Sequence, residues 1–186
     1  MLKWARENGC QWDALTCAYA AFGGHLHVLK WARENGCEWC VDTCLLAASK
    51  GCLEVLRWAR ENGCEWECGR VCRAAVREGR LEVLKWLHST NNCVLDEWMC
   101  EDAARGSHLE VLKWLRSIGC KWNEKVCAAA AKIGDLEILR WARENGCPWD
   151  ACTYLGAKNR GYSEVLQWLE ANNCPQGDGD GDVSDD

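Results

Sequence analysis

Thiols are the first groups in this chain that could do chemistry, for there are 16 cysteines in 186 residues. Cys37-Glu38-Trp39-Cys40, with Cys44 close behind, and the trio Cys64, Cys68 and Cys72 have short spacings at which thiolates bind zinc or exchange with a disulfide. Neither group has the second close pair that makes a zinc motif specific. Other chemistry is thinner. The 4 histidines form no H-E-x-x-H pair, no serine or cysteine nucleophile has a motif partner, and no glycine-rich phosphate loop is present. Asp178-Gly179-Asp180-Gly181-Asp182 has the spacing that opens a calcium loop, but Val183 stands where that loop needs glycine and no bidentate Glu follows. No catalytic residue, metal ligand, cofactor or small-molecule substrate is therefore expected.

The cysteines are better explained by copying. Trp-Ala-Arg-Glu-Asn-Gly-Cys begins at Trp4, Trp31, Trp58 and Trp141, with variants at Trp86, Trp114 and Trp168, so the tryptophans succeed one another every 27 or 28 residues. A fixed period of this size marks an array of stacked units. Seven cysteines follow the same glycine or asparagine (Cys10, Cys37, Cys64, Cys93, Cys120, Cys147, Cys174), and five share a second position (Cys17, Cys44, Cys72, Cys100, Cys127). A free thiol packs as a small hydrophobe, and duplicating a unit duplicates it. Like positions in stacked helices stand about 8–10 Å apart, too far to share an ion. The 13 tryptophans, against a single Phe, fall at helical core spacing and are expected to pack inside.

Two helices must position these residues in every unit. The second, as in Leu26-His27-Val28-Leu29-Lys30-Trp31-Ala32, has a wide apolar stripe and leaves His27, Lys30, Arg33 and Glu34 to water. Gly36, Gly63, Gly119 and Gly146 stand where a left-handed C-cap is expected, and Asn92 and Asn173 replace glycine in two copies. The first helix is shorter and carries Ala20, Ala47, Ala75, Ala103, Ala130 or Ala157 three residues after the cysteine position, which lets helices approach closely. Such a pair cannot bury its own apolar faces, so the units must stack.

The run Ala20-Ala21-Phe22-Gly23-Gly24-His25-Leu26-His27-Val28-Leu29-Lys30, and Ser107-His108-Leu109-Glu110-Val111-Leu112-Lys113, resemble the ankyrin repeat. Two features depart from that family: the shorter period, and Thr16-Cys17 or Thr43-Cys44 in place of Thr-Pro-Leu-His. The missing residues fall where an ankyrin unit projects its β-hairpin. The expected fold is an all-α helix-turn-helix repeat solenoid, ankyrin-like with trimmed hairpin loops. It spans 1–176: a half-unit 1–12, then units 13–39, 40–66, 67–95, 96–122, 123–149 and 150–176. Residues 177–186 are expected to be a disordered acidic tail. The chain starts inside a second helix and its last copy turns polar at Lys158 and Ser163, which suggests a truncated or covered N-terminus and a true C-terminus. The resemblance implies a non-enzymatic scaffold for a protein partner, cytoplasmic or nuclear. The alternatives are a metal or redox module centred on Cys37, Cys40, Cys64 and Cys68, or the C-terminal part of a larger protein with its activity elsewhere.

Charge adds little globally. There are 22 basic and 28 acidic residues, but five of the acids (Asp178, Asp180, Asp182, Asp185, Asp186) lie in the tail, so the body is close to neutral. Neither nucleic acid nor a membrane is expected as partner. No apolar stretch is long enough to span a bilayer, and collagen-like and wholly disordered chains are excluded by composition. Locally the pattern is sharper. At about 100° per residue, the positions two before and five after the first-helix cysteine point away from the core. In the third to fifth units these slots hold Arg70 and Arg77, Trp98 and Arg105, Lys125 and Lys132, with Arg73 alongside and Glu101 and Asp102 at the edge. Ankyrin-like arrays line a concave groove with that side, so these residues are the expected contact for an acidic or mixed partner segment, with Trp98 as its apolar anchor. The acidic tail is a candidate occupant when no partner is bound.

Overall fold

The computed structural model describes residues 2–9, 13–90, 93, 95–96 and 98–177. All the regular structure among them is helical, and the chain divides into two compact units, Met1–Val94 and Leu95–Asp186. The first unit holds α1 (Leu2–Glu7), α2 (Ala14–Phe22), α3 (Leu26–Glu34), α4 (Thr43–Lys50), α5 (Leu53–Glu61), α6 (Cys68–Arg77) and α7 (Leu81–Ser89). The second holds α8 (Trp98–Arg105), α9 (Leu109–Ser117), α10 (Glu124–Ile133), α11 (Leu136–Glu144), α12 (Ala151–Arg160) and α13 (Ser163–Ala171). The fold is all-α, made of helix-turn-helix repeats. The connections after α5 and α11 carry no strand and no hairpin. No helix among the described residues is long and apolar enough to cross a membrane.

Within each unit the even-numbered, short helices stack side by side: α2 on α4 and α4 on α6, then α8 on α10 and α10 on α12. Each also packs on the long helix that follows it. The close row is possible because its contacts are methyl-sized. Ala47, Ala75, Ala103, Ala130 and Ala157 are wholly buried beside the thiols Cys44, Cys72, Cys100 and Cys127. The long helices supply the larger side chains, with Leu56, Leu84, Leu112, Leu139 and Leu169 fully enclosed. Each such leucine is worth about 1.5–3 kcal/mol of transfer energy, which an isolated pair of helices could not recover.

Both helix ends are closed by the same device. The residue after the first-helix turn donates its N–H five residues back to the repeated alanine: Cys52 to Ala47 at 2.9 Å, Arg80 to Ala75 at 2.8 Å, His108 to Ala103 at 2.9 Å. At the end of the long helix, the cysteine does the same. Cys64 N–H reaches Ala59 at 2.9 Å and Cys147 N–H reaches Ala142 at 2.9 Å, across Gly63 and Gly146 at φ +79° and +80°. This is the Schellman arrangement, in which the left-handed residue is followed by one that packs back on the helix. Asn173 takes the glycine's place at φ 58°, as the sequence suggests, and Ser107 takes the corresponding first-turn position at φ 61°. Asn92 lies outside the described residues, as do most of the N-terminal half-unit's exit and the acidic tail.

Candidate functional site

The slots assigned to the outer side of the short helices are occupied by exposed side chains. In the first unit Arg70 and Arg77 are exposed and Arg73 is half-buried. The three line a shallow, open depression of about 360 Å³ with Leu45, Ser49, Ala74 and Glu78. Arg70 also stands 3.5 Å from the Asp42 carboxylate one repeat earlier, a solvent-exposed pair that costs the depression part of its charge and adds little to stability. Lys50 lies over the Phe22 ring at 4.5 Å, a basic contribution to the same row of helices that the slot rule passed over.

In the second unit Trp98, Arg105, Lys125 and Lys132 are exposed as well, Trp98 to 43%. Two of these groups are engaged by neighbours. Lys125 places its ammonium 4.3 Å from the centre of the Trp98 ring, and Arg105 is paired with the Glu101 carboxylate one turn back on α8. Trp98 is thus a ring already covered on one face by a cation. Asp102, expected at the edge of the stripe, is instead buried: the buried arc of α8 runs over Met99, Cys100, Asp102, Ala103 and Ala104 and includes it. The candidate residues therefore gather as a trio in one unit and as a Trp–Lys pair with Arg105 and Lys132 in the other.

The tryptophans differ from the sequence expectation. Trp39, Trp58, Trp66, Trp86, Trp122, Trp141, Trp149 and Trp168 are only half-buried. Four loop indoles each meet a long-helix indole at a steep angle: Trp39–Trp58 at 5.9 Å, Trp66–Trp86 at 6.1 Å, Trp122–Trp141 at 5.8 Å and Trp149–Trp168 at 5.8 Å between ring centres. The arginines assigned to open water lie over these rings: Arg33 on Trp39 at 4.4 Å, Arg60 on Trp66 at 5.0 Å, Arg116 on Trp122 and Arg143 on Trp149 at 4.1 Å. Arg33, Arg116 and Arg143 also donate to the carbonyls of Cys37, Cys120 and Cys147. The apolar stripe is simply wider than the core. An indole at its margin needs a cover, and the guanidinium in the last turn of the helix supplies it.

The two cysteine positions, which sequence reasoning treated separately, meet inside four of the repeats. Cys17 donates its S–H to Cys37 at 3.1 Å and Cys44 to Cys64 at 2.9 Å between sulfurs; Cys100 and Cys127 are bonded likewise to Cys120 and Cys147. The accepting thiols donate onward: Cys37 to the Asp13 carbonyl at 3.2 Å, Cys120 to Asp96 at 3.2 Å and Cys147 to Asn123 at 3.3 Å. The donors are held protonated. Burial and then the bond to Cys37 push Cys17 up to about 12, and the bond to Cys64 together with burial drives Cys44 upward as well. Cys64, Cys120 and Cys147 move down, because their partner's S–H stabilises the thiolate. The signal in the sequence was the spacing of 20 residues between the two positions in these four repeats. Cys40 and Cys68 are half-exposed and do not belong to these pairs, and among the described residues no cluster of three or more His, Cys, Asp or Glu is placed to hold a metal.

Residues 44–88, from the first thiol of one such pair to the long helix of the next repeat, match the family model for ankyrin repeats in many copies. Over those residues the chain is similar to ankyrin repeats. Its structure is similar to that of the human ASB11 ankyrin repeat domain, with a TM-score of 0.65 at 15% identity over 83% of this chain and 82% of that one. No curated protein matches the sequence. Ankyrin repeats are generally protein-interaction modules, and the family is typically non-catalytic. In this array the connections after α5 and α11 are short, and the outer side of the short helices carries exposed side chains.

Proposed function

We propose that this ankyrin array is a non-enzymatic interaction scaffold of the cytosol or nucleus, and that it binds an acidic protein segment along the outer side of its short helices. The observation that carries the reading is the depression lined by Arg70, Arg73 and Arg77, where three cations crowd one shallow apolar floor formed by Leu45 and Ala74. Carboxylates would be drawn there by charge, and the arginine fork suits them bidentately. Trp98 with Lys125 offers the second unit's apolar anchor, flanked by Arg105 and Lys132. Aromatic rings and arginines are the groups that most often dominate protein interfaces.

The test is charge reversal on the face and off it. Arg77→Glu combined with Arg105→Glu should abolish capture of partners by the immobilised chain and remove its dependence on salt, while the helical circular dichroism stays unchanged. Arg57→Glu combined with Arg140→Glu, on the long helices, should leave capture intact. If both double variants retain the same partners at the same salt sensitivity, the face is wrongly assigned.

A further inference from the structure

We propose that the paired thiols inside the repeats are oxidation sites: a two-electron oxidant of the peroxide class converts Cys44 and Cys64, Cys100 and Cys120, Cys127 and Cys147, and Cys17 and Cys37 into disulfides that tie each short helix to the cap of the long helix in its own repeat. The geometry leads here because the sulfurs already touch. At 2.9 Å for Cys44 and Cys64 and 3.1 Å for Cys17 and Cys37, they need to close by only about 1 Å to reach bonding distance. A two-coordinate metal ion would instead have to push the sulfurs apart in a packed core. The arrangement recurs at one spacing in both units, so it belongs to the repeat and not to a single accident of packing. The sixth repeat supplies an internal control. Tyr154 stands in the first position there, and Cys174 is buried without a thiol opposite it in the register.

The chemistry balances within the pair. The sulfur of Cys64, as thiolate, attacks one oxygen of hydrogen peroxide; the O–O bond breaks, a sulfenic acid forms on Cys64, and the departing hydroxide takes up the released proton as water. The sulfur of Cys44 then attacks the Cys64 sulfur, the S–O bond breaks, and the leaving hydroxide combines with the Cys44 proton. Two thiols and one peroxide give one disulfide and two waters, and the two electrons come from the sulfurs. Cys64 is the natural first nucleophile: its thiolate is stabilised by the Cys44 S–H, and Arg33 and Arg60 add positive charge nearby. Both sulfurs are enclosed, Cys44 at 0% and Cys64 at 1% exposure, so the oxidant enters only when the repeat opens. Terminal and neighbouring repeats of an array open locally without global unfolding. Oxidation is therefore expected to be slower than alkylation of the exposed Cys152.

The folded chain, reduced and freed of thiol, is treated with hydrogen peroxide in buffer, quenched, alkylated under denaturation and digested for mass spectrometry. The expected products are cross-linked peptides joining Cys17 with Cys37, Cys44 with Cys64, Cys100 with Cys120 and Cys127 with Cys147, each lighter by two hydrogens and restored by dithiothreitol, with Cys174 recovered as the alkylated thiol. Hydrogen exchange at the Cys64 and Cys147 amides, which close the long helices, should slow after oxidation. In the Cys64→Ala variant the link to Cys44 disappears and the other three persist, so a local defect cannot mimic the result. The proposal is overturned if the paired positions are recovered as free thiols or as sulfinic acids while Cys40, Cys68 or Cys152 carries the disulfides. It is equally overturned if the links scramble among repeats as they would in an unfolded chain.

Discussion

Replacing Arg143 by alanine removes two contacts made by one guanidinium. The group lies 4.1 Å from the centre of the Trp149 ring and donates to the Cys147 carbonyl, at the point where α11 ends and the chain turns toward α12. A cation over an indole at a half-exposed site is worth about 0.5–1 kcal/mol. A hydrogen bond from a charged donor to a carbonyl contributes about 1.5 kcal/mol when sheltered, and less here because Arg143 is only half-buried. The sum, discounted for solvent, places the loss for Arg143→Ala at about 1–2 kcal/mol. Arg143→Lys keeps a cation, but one ammonium cannot cover the ring and reach the carbonyl together, so it should fall near the middle of that interval. Arg140→Ala is the matched control: its guanidinium stands 6.0 Å from the Trp168 ring, at the limit of the interaction, and its removal should cost less than about 0.5 kcal/mol. Urea unfolding followed by far-ultraviolet circular dichroism gives all three values from the midpoints at a common slope. If Arg143→Ala and Arg140→Ala unfold at the same urea concentration, the cover over the indole contributes nothing and the reasoning fails.

Gly134 and Gly63 share φ +79°, yet a Cβ at Gly63 meets open space while one at Gly134 would lie 2.9 Å from the Tyr162 ring. Gly63→Ala should therefore cost about 1 kcal/mol, for the left-handed backbone alone. Gly134→Ala should cost roughly 1 kcal/mol more because the ring must move, and equal melting temperatures for the two variants would show that it moves freely. Tyr154 donates its hydroxyl to the Glu170 carboxylate at 2.8 Å, which raises the phenol above its ordinary 10.0. The folded chain then holds that proton more tightly than the unfolded one. The contribution is complete below the ordinary phenol value and is lost as pH climbs from there through the raised folded value. A phenolate absorbance titration that Glu170→Gln fails to shift downward would contradict it.

What the sequence disclosed was whatever a residue does within its own turn of chain. Gly63 and Gly146 follow an apolar stripe and precede a thiol, and that order alone predicts a left-handed cap and an inward-turning cysteine. The slot rule for the short helices needs only the helical angle, so it placed Arg70, Arg77, Arg105 and Lys132 at the surface correctly. The edge position given to Asp102, three residues before the Arg105 slot, is instead buried, because on so short a helix the buried arc is wide. Pairings across elements were less legible. That Lys125 covers Trp98 depends on where α10 lies against α8, and that Arg143 covers Trp149 depends on how the chain leaves α11. A periodic stripe says which side of a helix avoids water. It does not say which members of the stripe reach the centre and which stop at its rim, and the bulkiest ones, the indoles, stopped there.

In an array the informative residues are those where copies disagree. A position filled by cysteine in five repeats and by Tyr154 in the sixth cannot be conserved in volume, so its environment must differ in the last copy. The difference is polar. Cys44 and Cys127 satisfy their S–H on the thiol of their own repeat's long-helix cap, in the interior. The longer Tyr154 passes that thiol and spends its hydroxyl on Glu170, one turn before the cap. Cys174 keeps its backbone role, closing α13 through a 3.0 Å bond to Leu169, but burial pushes its thiol only to about 11 and no second sulfur drives it further. One substitution thus leaves the cap intact and removes the dithiol, which separates the two duties of the duplicated cysteine. The first duty closes the long helix, and only the second makes a repeat oxidisable.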